Sequence, residues 1–236
     1  MQIEDIGFFL GTKEYGENSF IVFVLSKKHG LVKSFSKYSR KELQSLMILD
    51  QINFIWKSKQ KEGLGFIKIN HKKPLNDGVN NFLVSLVKAS ATELCLNFLA
   101  PWEKNKEIYE DLATLVESFK LNNNLIIFNY VWWEILFLKN TGYGITLDKC
   151  SVSGSKEKLY YLSPNSGNSV TYSVGHRYRN KLFKLPHCLK DKAISNNFED
   201  YLYALKITSY FLRKSFDYDL SKFIFRSHLI NKLKTL

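Results

Sequence analysis

Between Asn123 and Leu138 the chain reads NNLIIFNYVWWEILFL, and from Leu125 onward only Asn129 and Glu134 interrupt an otherwise apolar or aromatic run. A helix on the surface of a globular protein shows a polar face at a period of 3.6 residues, and this stretch shows none. Its 14 residues from Leu125 to Leu138 fall short of the roughly twenty needed to cross a bilayer. The run therefore predicts a central helix covered by neighbours on every side. It should end at Gly142-Tyr143-Gly144, where a residue free to adopt positive φ can close a helix. Glu134 inside such a helix is costly unless paired. A base from a neighbouring helix, Arg213 or Arg226, would make it a structural tie.

The rest of the chain divides around this helix. Residues 1–74 read as strands: Ile3–Leu10, Ser19–Ser26, Leu31–Tyr38, Gln51–Ser58 and Leu64–Asn70 are rich in Phe, Ile and Val and are separated by turn residues. Alternation is clearest in the fourth, with Ile52, Phe54 and Trp56 on one face and Asn53, Lys57 and Lys59 largely on the other. Five short strands with an insertion after the third suggest a five-stranded closed barrel of the OB type, with a small sandwich as the alternative. Pro74-Leu75-Asn76-Asp77-Gly78 marks a boundary. Beyond it, Asn80–Leu99, Lys106–Lys120, Asn197–Phe216 and Tyr218–Leu236 read as helices, and 145–196 as an irregular, turn-rich segment. The fold class expected is α+β: an N-terminal barrel over 1–74, then a helical domain over 75–236.

Charge narrows the function. The 236 residues carry 34 Lys+Arg against 22 Asp+Glu, a formal charge of +12, which suggests a polyanionic partner. The excess is concentrated: residues 1–74 hold 13 basic and 7 acidic residues, and 148–192 hold 9 and 3. Within the barrel, His29–Lys41 (HGLVKSFSKYSRK) puts Lys33, Phe35 and Lys37 on one side of a strand. Lysines can neutralise phosphates while the ring accepts a stacked base. Tyr38, Arg40 and Lys41 continue this face, and Lys27, Lys28, Lys57 and Lys59 border it. The competing reading makes Phe35 core and the lysines a solvated edge that resists aggregation. Arg177, Arg179, Lys181 and Lys184 supply a secondary basic segment.

Other chemistry finds little support. Cys150 opens Cys-Ser-Val-Ser, with Ser153 where a zinc knuckle needs its second thiolate. Cys95 and Cys188 are too distant for a disulfide framework. Asp217-Tyr218-Asp219 reads as a helix cap rather than a cation site. No phosphate-binding loop, dinucleotide fingerprint or nucleophile elbow is present. The N-terminus, MQIEDIGFFL, is acidic where a signal peptide needs positive charge, which predicts a cytoplasmic protein without membrane contact, nucleoid-associated if the basic excess serves DNA.

The chain also resembles the RecO family of bacterial DNA repair proteins over its whole length. The resemblance is carried by Gly11 with Tyr15-Gly16-Glu17-Asn18-Ser19, by His29-Gly30-Leu31-Val32 and by Lys37-Tyr38-Ser39-Arg40. It continues through Trp133-Glu134, Gly142-Tyr143-Gly144, Leu147-Asp148-Lys149-Cys150, Tyr161-Leu162-Ser163-Pro164 to Ser166-Gly167, and Phe225-Arg226-Ser227. It implies an OB-type domain followed by a helical one, with no enzymatic activity and no cofactor. It further implies binding of single- and double-stranded DNA, annealing of complementary strands, and action with RecR to load RecA onto strands covered by single-strand binding protein. The acidic, hydrophobic C-terminal tail of that binding protein would dock on the helical domain. Lys37 and Arg40 match the family's DNA-contacting segment. The four-cysteine zinc site of some relatives does not transfer to a segment with one cysteine. Where some relatives place a tail-binding arginine, this chain has Val131 and Trp132, leaving Lys139, Arg213 and Lys214 as the candidate bases. Other classes remain open: an RNA-binding module on the same barrel, a nucleic-acid-processing enzyme using Asp217 and Asp219, or a protein-binding scaffold.

Overall fold

The computed structural model describes residues 1–16, 19–38, 40–60, 63–73, 81–216 and 223–236. They form two compact units, Met1–Lys120 and Leu121–Leu236. In the first, strands β1 (Gln2–Glu14), β2 (Phe20–Ser26), β3 (Gly30–Ser36), β4 (Gln51–Lys57) and β5 (Phe66–Lys73) close a barrel in the order β1-β2-β3-β5-β4. This is the OB-type barrel expected, and α1 (Arg40–Gln44) occupies the insertion after the third strand. β1 outruns its expected end at Leu10 because a bulge between Phe9 and Gly11 bends it, letting it pair with β4 before the bulge and mainly with β2 beyond.

The barrel interior follows from the period-two pattern. Ile52, Phe54 and Trp56 are fully buried, as their alternation required, and Phe9, Val22, Val24, Val32 and Ile67 join them. Trp102 closes on Trp56 with ring centroids 4.6 Å apart. The connection carrying Trp102 crosses close to the β2–β3 turn, where Gly30 has φ of 70° and any Cβ would collide with the Glu103 carbonyl oxygen. Only glycine fits there. The first unit also contains α2 (Phe82–Phe98) and α3 (Lys106–Glu117), capped by the side chains of Asn81 and Asn105. α3 lays Tyr109 against Phe8 of β1, with ring centroids 5.0 Å apart.

Tyr38 corrects one expectation. It does not continue the exposed binding face but packs against the barrel core. Its hydroxyl accepts from the Ile69 N–H at 2.7 Å and donates to the Ile69 carbonyl at 3.0 Å. β3 pairs with β5 only at Phe35–Phe66 and Ser36–Ile67, so the phenol satisfies β5 backbone groups just past the end of this short ladder.

In the second unit the apolar run is helix α4 (Asn123–Asn140). No residue from Leu125 to Leu138 is fully exposed, as the missing polar face required. The helix ends at Gly142, which has φ of 88°, and the Tyr143 N–H returns to the Leu138 carbonyl at 2.9 Å. Against α4 pack α7 (Phe198–Phe216) and its neighbour α8 (Ile224–Leu233). The chain between α4 and α7 builds a three-stranded sheet in the order β7-β6-β8: β6 (Leu159–Leu162), β7 (Ser169–Thr171) and β8 (Phe183–Lys184). Short helices α5 (Tyr172–Gly175) and α6 (His187–Lys190) complete this segment.

Glu134 is 1% exposed and meets Arg226, not Arg213. The guanidinium donates to both carboxylate oxygens at 2.8 and 2.9 Å. Tyr130 and Thr208 also donate to the carboxylate, at 2.6 and 2.5 Å, and Arg226 reaches Ser209 Oγ and the Leu205 carbonyl. Burial alone would lower the Arg226 pKa, but Glu134 overrides it and the guanidinium is held ionised.

Two stability outcomes are expected. Arg226→Ala leaves Glu134 buried and unpaired, and should cost about 3–5 kcal/mol in urea unfolding, whereas replacing both partners with apolar residues of similar volume should cost far less. Tyr38→Phe should lose about 1–2 kcal/mol by stranding the Ile69 backbone groups. An unchanged unfolding midpoint in either single variant would contradict the role assigned to it.

Candidate nucleic-acid interface

β3 separates two kinds of residue by the alternation of its side chains. Val32, Ser34 and Ser36 are buried toward the interior, while Lys33 and Phe35 are half-exposed on the outside. Phe35 sits in a lateral row fixed by strand register: it pairs with Ile21 of β2 and Phe66 of β5, and Phe66 pairs with Lys57 of β4. Residues directly opposite on neighbouring strands share a face, so the row presents two phenylalanines beside a lysine.

The row is extended by ring contacts. Phe35 lies 6.0 Å from Phe66 and 5.3 Å from Tyr15, the latter edge to face. Phe66 is 51% exposed and Tyr15 56%. Lys37 holds its Nζ 5.1 Å from the Phe66 centroid, and Lys33 holds its own 5.9 Å from Phe23. At such distances a ring quadrupole attracts the ammonium. Phe35 and Phe66 also line a cleft of about 830 Å³ together with Lys57, Lys59 and Leu64. Aromatic faces and cations therefore converge on one open surface.

Of the residues expected to bind, the structure brings Lys33, Phe35, Lys37, Lys57 and Lys59 together. Lys27 and Lys28 are exposed but lie apart, at the β2–β3 turn. Ser26 pairs with Gly30, five residues along β3 from Phe35, or about 17 Å at the rise of a strand. There, Asp5 organises the turn by accepting from the Ser26 hydroxyl at 2.5 Å and the Lys28 N–H at 2.9 Å. Lys41 is exposed on α1. Arg40 begins α1, but its side chain lies outside the described residues.

Phe23 and Phe66 belong to the surface although no motif marks them, and Tyr15, part of the Tyr15-Gly16-Glu17-Asn18-Ser19 motif, joins them there. Phe66 has a readable signal: in Phe66-Ile67-Lys68-Ile69 the isoleucines alternate with Phe and Lys, so Phe66 falls on the lysine's side. Tyr15 has no strand periodicity to place it, because it stands just past the end of β1.

In the second unit, Arg177, Arg179, Lys181 and Lys184 are all exposed, on and beside a 3-10 turn spanning His176–Lys181. The candidate tail bases separate. Lys214 donates to the carbonyls of Pro164 and Asn165 at 3.0 and 2.5 Å. It lines a cleft of about 310 Å³ with Tyr143, Gly144, Ser166 and Phe211. Lys139 is exposed near Gly144, whereas Arg213 is exposed and does not line the cleft.

The segment opened by Cys150 keeps the turn of a metal knuckle without its ligands. The Ser153 N–H points to the Cys150 sulfur at 3.4 Å, and the Thr171 hydroxyl lies 4.0 Å from it. Among the described residues no three His, Cys, Asp or Glu side chains are grouped to hold a metal. Asp217 and Asp219 lie outside the described residues. No helix among the described residues is long and apolar enough to cross a membrane.

Comparison with known proteins agrees with this architecture. Residues 1–71 match the family model "Recombination protein O N terminal", and residues 82–229 match "Recombination protein O C terminal". A DNA repair protein RecO of Ehrlichia chaffeensis is 30% identical over 223 residues, covering 92% of this chain and 91% of the relative. One from Wolbachia pipientis is 29% identical, covering 91% and 92%, and one from Rickettsia bellii is 30% identical, covering 91% and 89%. With both domains matched in order and relatives aligned nearly end to end, the chain belongs to the RecO family of DNA repair proteins.

Proposed function

We propose that this protein is a non-enzymatic recombination mediator that binds DNA on the barrel face around Phe35 and Phe66. The observation that carries this reading is the pairing of two outward phenylalanines with Lys37 and Lys57 across adjacent strands. Every base has a π-face, so stacking on such rings is tolerant of sequence, and the lysines neutralise the backbone whatever bases it carries. Annealing requires no catalytic group. Neutralising phosphates on two strands removes their repulsion, and bases left exposed can pair.

Membership of the family supports a choice of partners. Acting with RecR, the protein would load RecA onto strands covered by single-strand binding protein. The acidic, hydrophobic tail of that protein suits the Tyr143–Phe211 cleft, which offers the Tyr143 ring and the Lys214 ammonium among polar neighbours. Lys139 adds a second cation near its rim.

Three measurements test this reading. Reversing Lys33, Lys37 and Arg40 to Glu should weaken DNA binding and flatten the salt dependence of log K, by about 0.7–0.9 in slope for each phosphate that is no longer neutralised. An unchanged slope in the folded variant would remove the barrel face from consideration. Phe66→Ala, at an exposed position, should weaken single-strand binding by about 1–3 kcal/mol if one base stacks there. Finally, the protein should accelerate annealing of complementary oligonucleotides coated with the cognate single-strand binding protein without ATP, and Lys139→Glu with Lys214→Glu should abolish that gain while sparing naked strands. Failure on coated strands by the unmodified protein would remove the tail interaction, and failure on both would remove the mediator role.

A further inference from the structure

The second unit carries its own basic and aromatic surface, separate in composition from the barrel's. Tyr160 is on β6, at a bulge between Leu159 and Tyr161 in the pairing with β7. Two ammonium groups lie over its ring: Lys184 Nζ is 5.5 Å from the centroid and Lys190 Nζ is 5.4 Å. Two like charges on one ring repel each other, and the ring quadrupole offsets only part of that. A phosphate would offset the rest. Lys190 has partial neutralisation from Asp191 at 3.9 Å, while Arg177, Lys181 and Lys184 form no ion pair among the described residues. Between residues 176 and 192, six Lys and Arg face one acidic residue, Asp191.

Aromatic rings run through the same surface. Tyr172 meets Tyr160 edge to face at 5.1 Å and His176 at 4.8 Å, and His176 contacts Arg179 at 3.4 Å. The path from the two lysines to Arg179 is thus continuous. Beside Arg179, Tyr178 is 61% exposed, flanked by Arg177 and Arg179, which are also exposed. So exposed a ring contributes little to the core. A large ring kept in water, with an exposed arginine on either side of it in the chain, is, however, well placed to stack on an unpaired base.

We infer that this face is a second single-stranded DNA site: Tyr178 stacks on a base, and Arg177, Arg179, Lys184 and Lys190 neutralise the adjoining phosphates. One chain would then hold a strand on each unit, which gives an annealing protein two strands at once. The inference rests on the DNA-binding reading above but can fail independently of it.

The test counts strands on the full-length protein. Fluorescently labelled oligo-dT, too short to span two sites, is titrated at low salt, and strands bound per chain are read by sedimentation. Wild type should bind two. Tyr178→Ala should weaken one of the two sites by roughly five- to a hundred-fold. A variant with Arg177, Arg179 and Lys184 reversed to Glu should retain one strand, and so should the barrel variant K33E/K37E. One strand on wild type that only the barrel variant loses would overturn this inference and leave the barrel site standing. Two strands retained by the Arg177/Arg179/Lys184 variant would also overturn it. No binding by wild type would overturn both readings.

Discussion

A carboxylate buried in an apolar helix is the constraint around which the second unit is assembled. α4 has no polar face, so it must be covered on all sides, and covering it places Glu134 out of reach of water. A lone carboxylate there would be untenable. The packing partners must therefore supply a cation and donors at fixed positions, which Arg226 of α8 and Thr208 of α7 do. Apolar packing alone would let three helices slide past one another at modest cost. A bidentate pair with further donors on both partners permits one register, because any shift strands a buried charge.

The barrel illustrates a different constraint: each strand has two faces and only one is needed for the core. Val32, Ser34 and Ser36 turn inward, so the alternate positions of β3 are free to serve another purpose. Lys33 and Phe35 occupy them, and strand register then decides their company. The resulting surface is not contiguous in sequence. It draws on β3, β4, β5 and the end of β1, which become neighbours only once the barrel closes.

That difference explains what can be read from the sequence and what cannot. The barrel strands are legible because burial on one face imposes period two on each strand separately. The central helix is legible because the absence of a polar face is a local property, and Gly142 supplies its end. The need for a partner to Glu134 is also legible. Choosing Arg226 over Arg213 is not, since both lie in helices near the C-terminus and the choice depends on how those helices cross. The site is half legible. Lys33, Phe35 and Lys37 share one strand face and can be grouped, with Lys57 and Lys59 expected at its border, whereas Phe66 joins them only through cross-strand pairing. Tyr38 misleads because an aromatic beside lysines looks the same in sequence whether its hydroxyl meets solvent or closes a gap beside a neighbouring strand. Proximity along the chain groups Lys27 and Lys28 with Lys37, yet β3 runs its full length between them and sets them at its opposite ends.

The exposed rings bear most directly on function. Burying Phe66 or Tyr15 would stabilise a fold by a few kcal/mol at most, yet both remain about half exposed. Solitary exposed apolar residues are common and need no explanation. Here the rings are clustered, and lysines lie over or beside them. Lysine on a sheet surface can be read as protection of an exposed edge, and β3 meets β5 only at Phe35–Phe66 and Ser36–Ile67, so Lys33 stands where β3 is paired on one side alone. Edge protection therefore suits Lys33, whereas Lys37 and Lys57 lie over or beside the exposed ring of Phe66. Rings and ammonium groups gathered on one face are what the proposed DNA-binding role calls for, since an unpaired strand offers a charged backbone and flat bases.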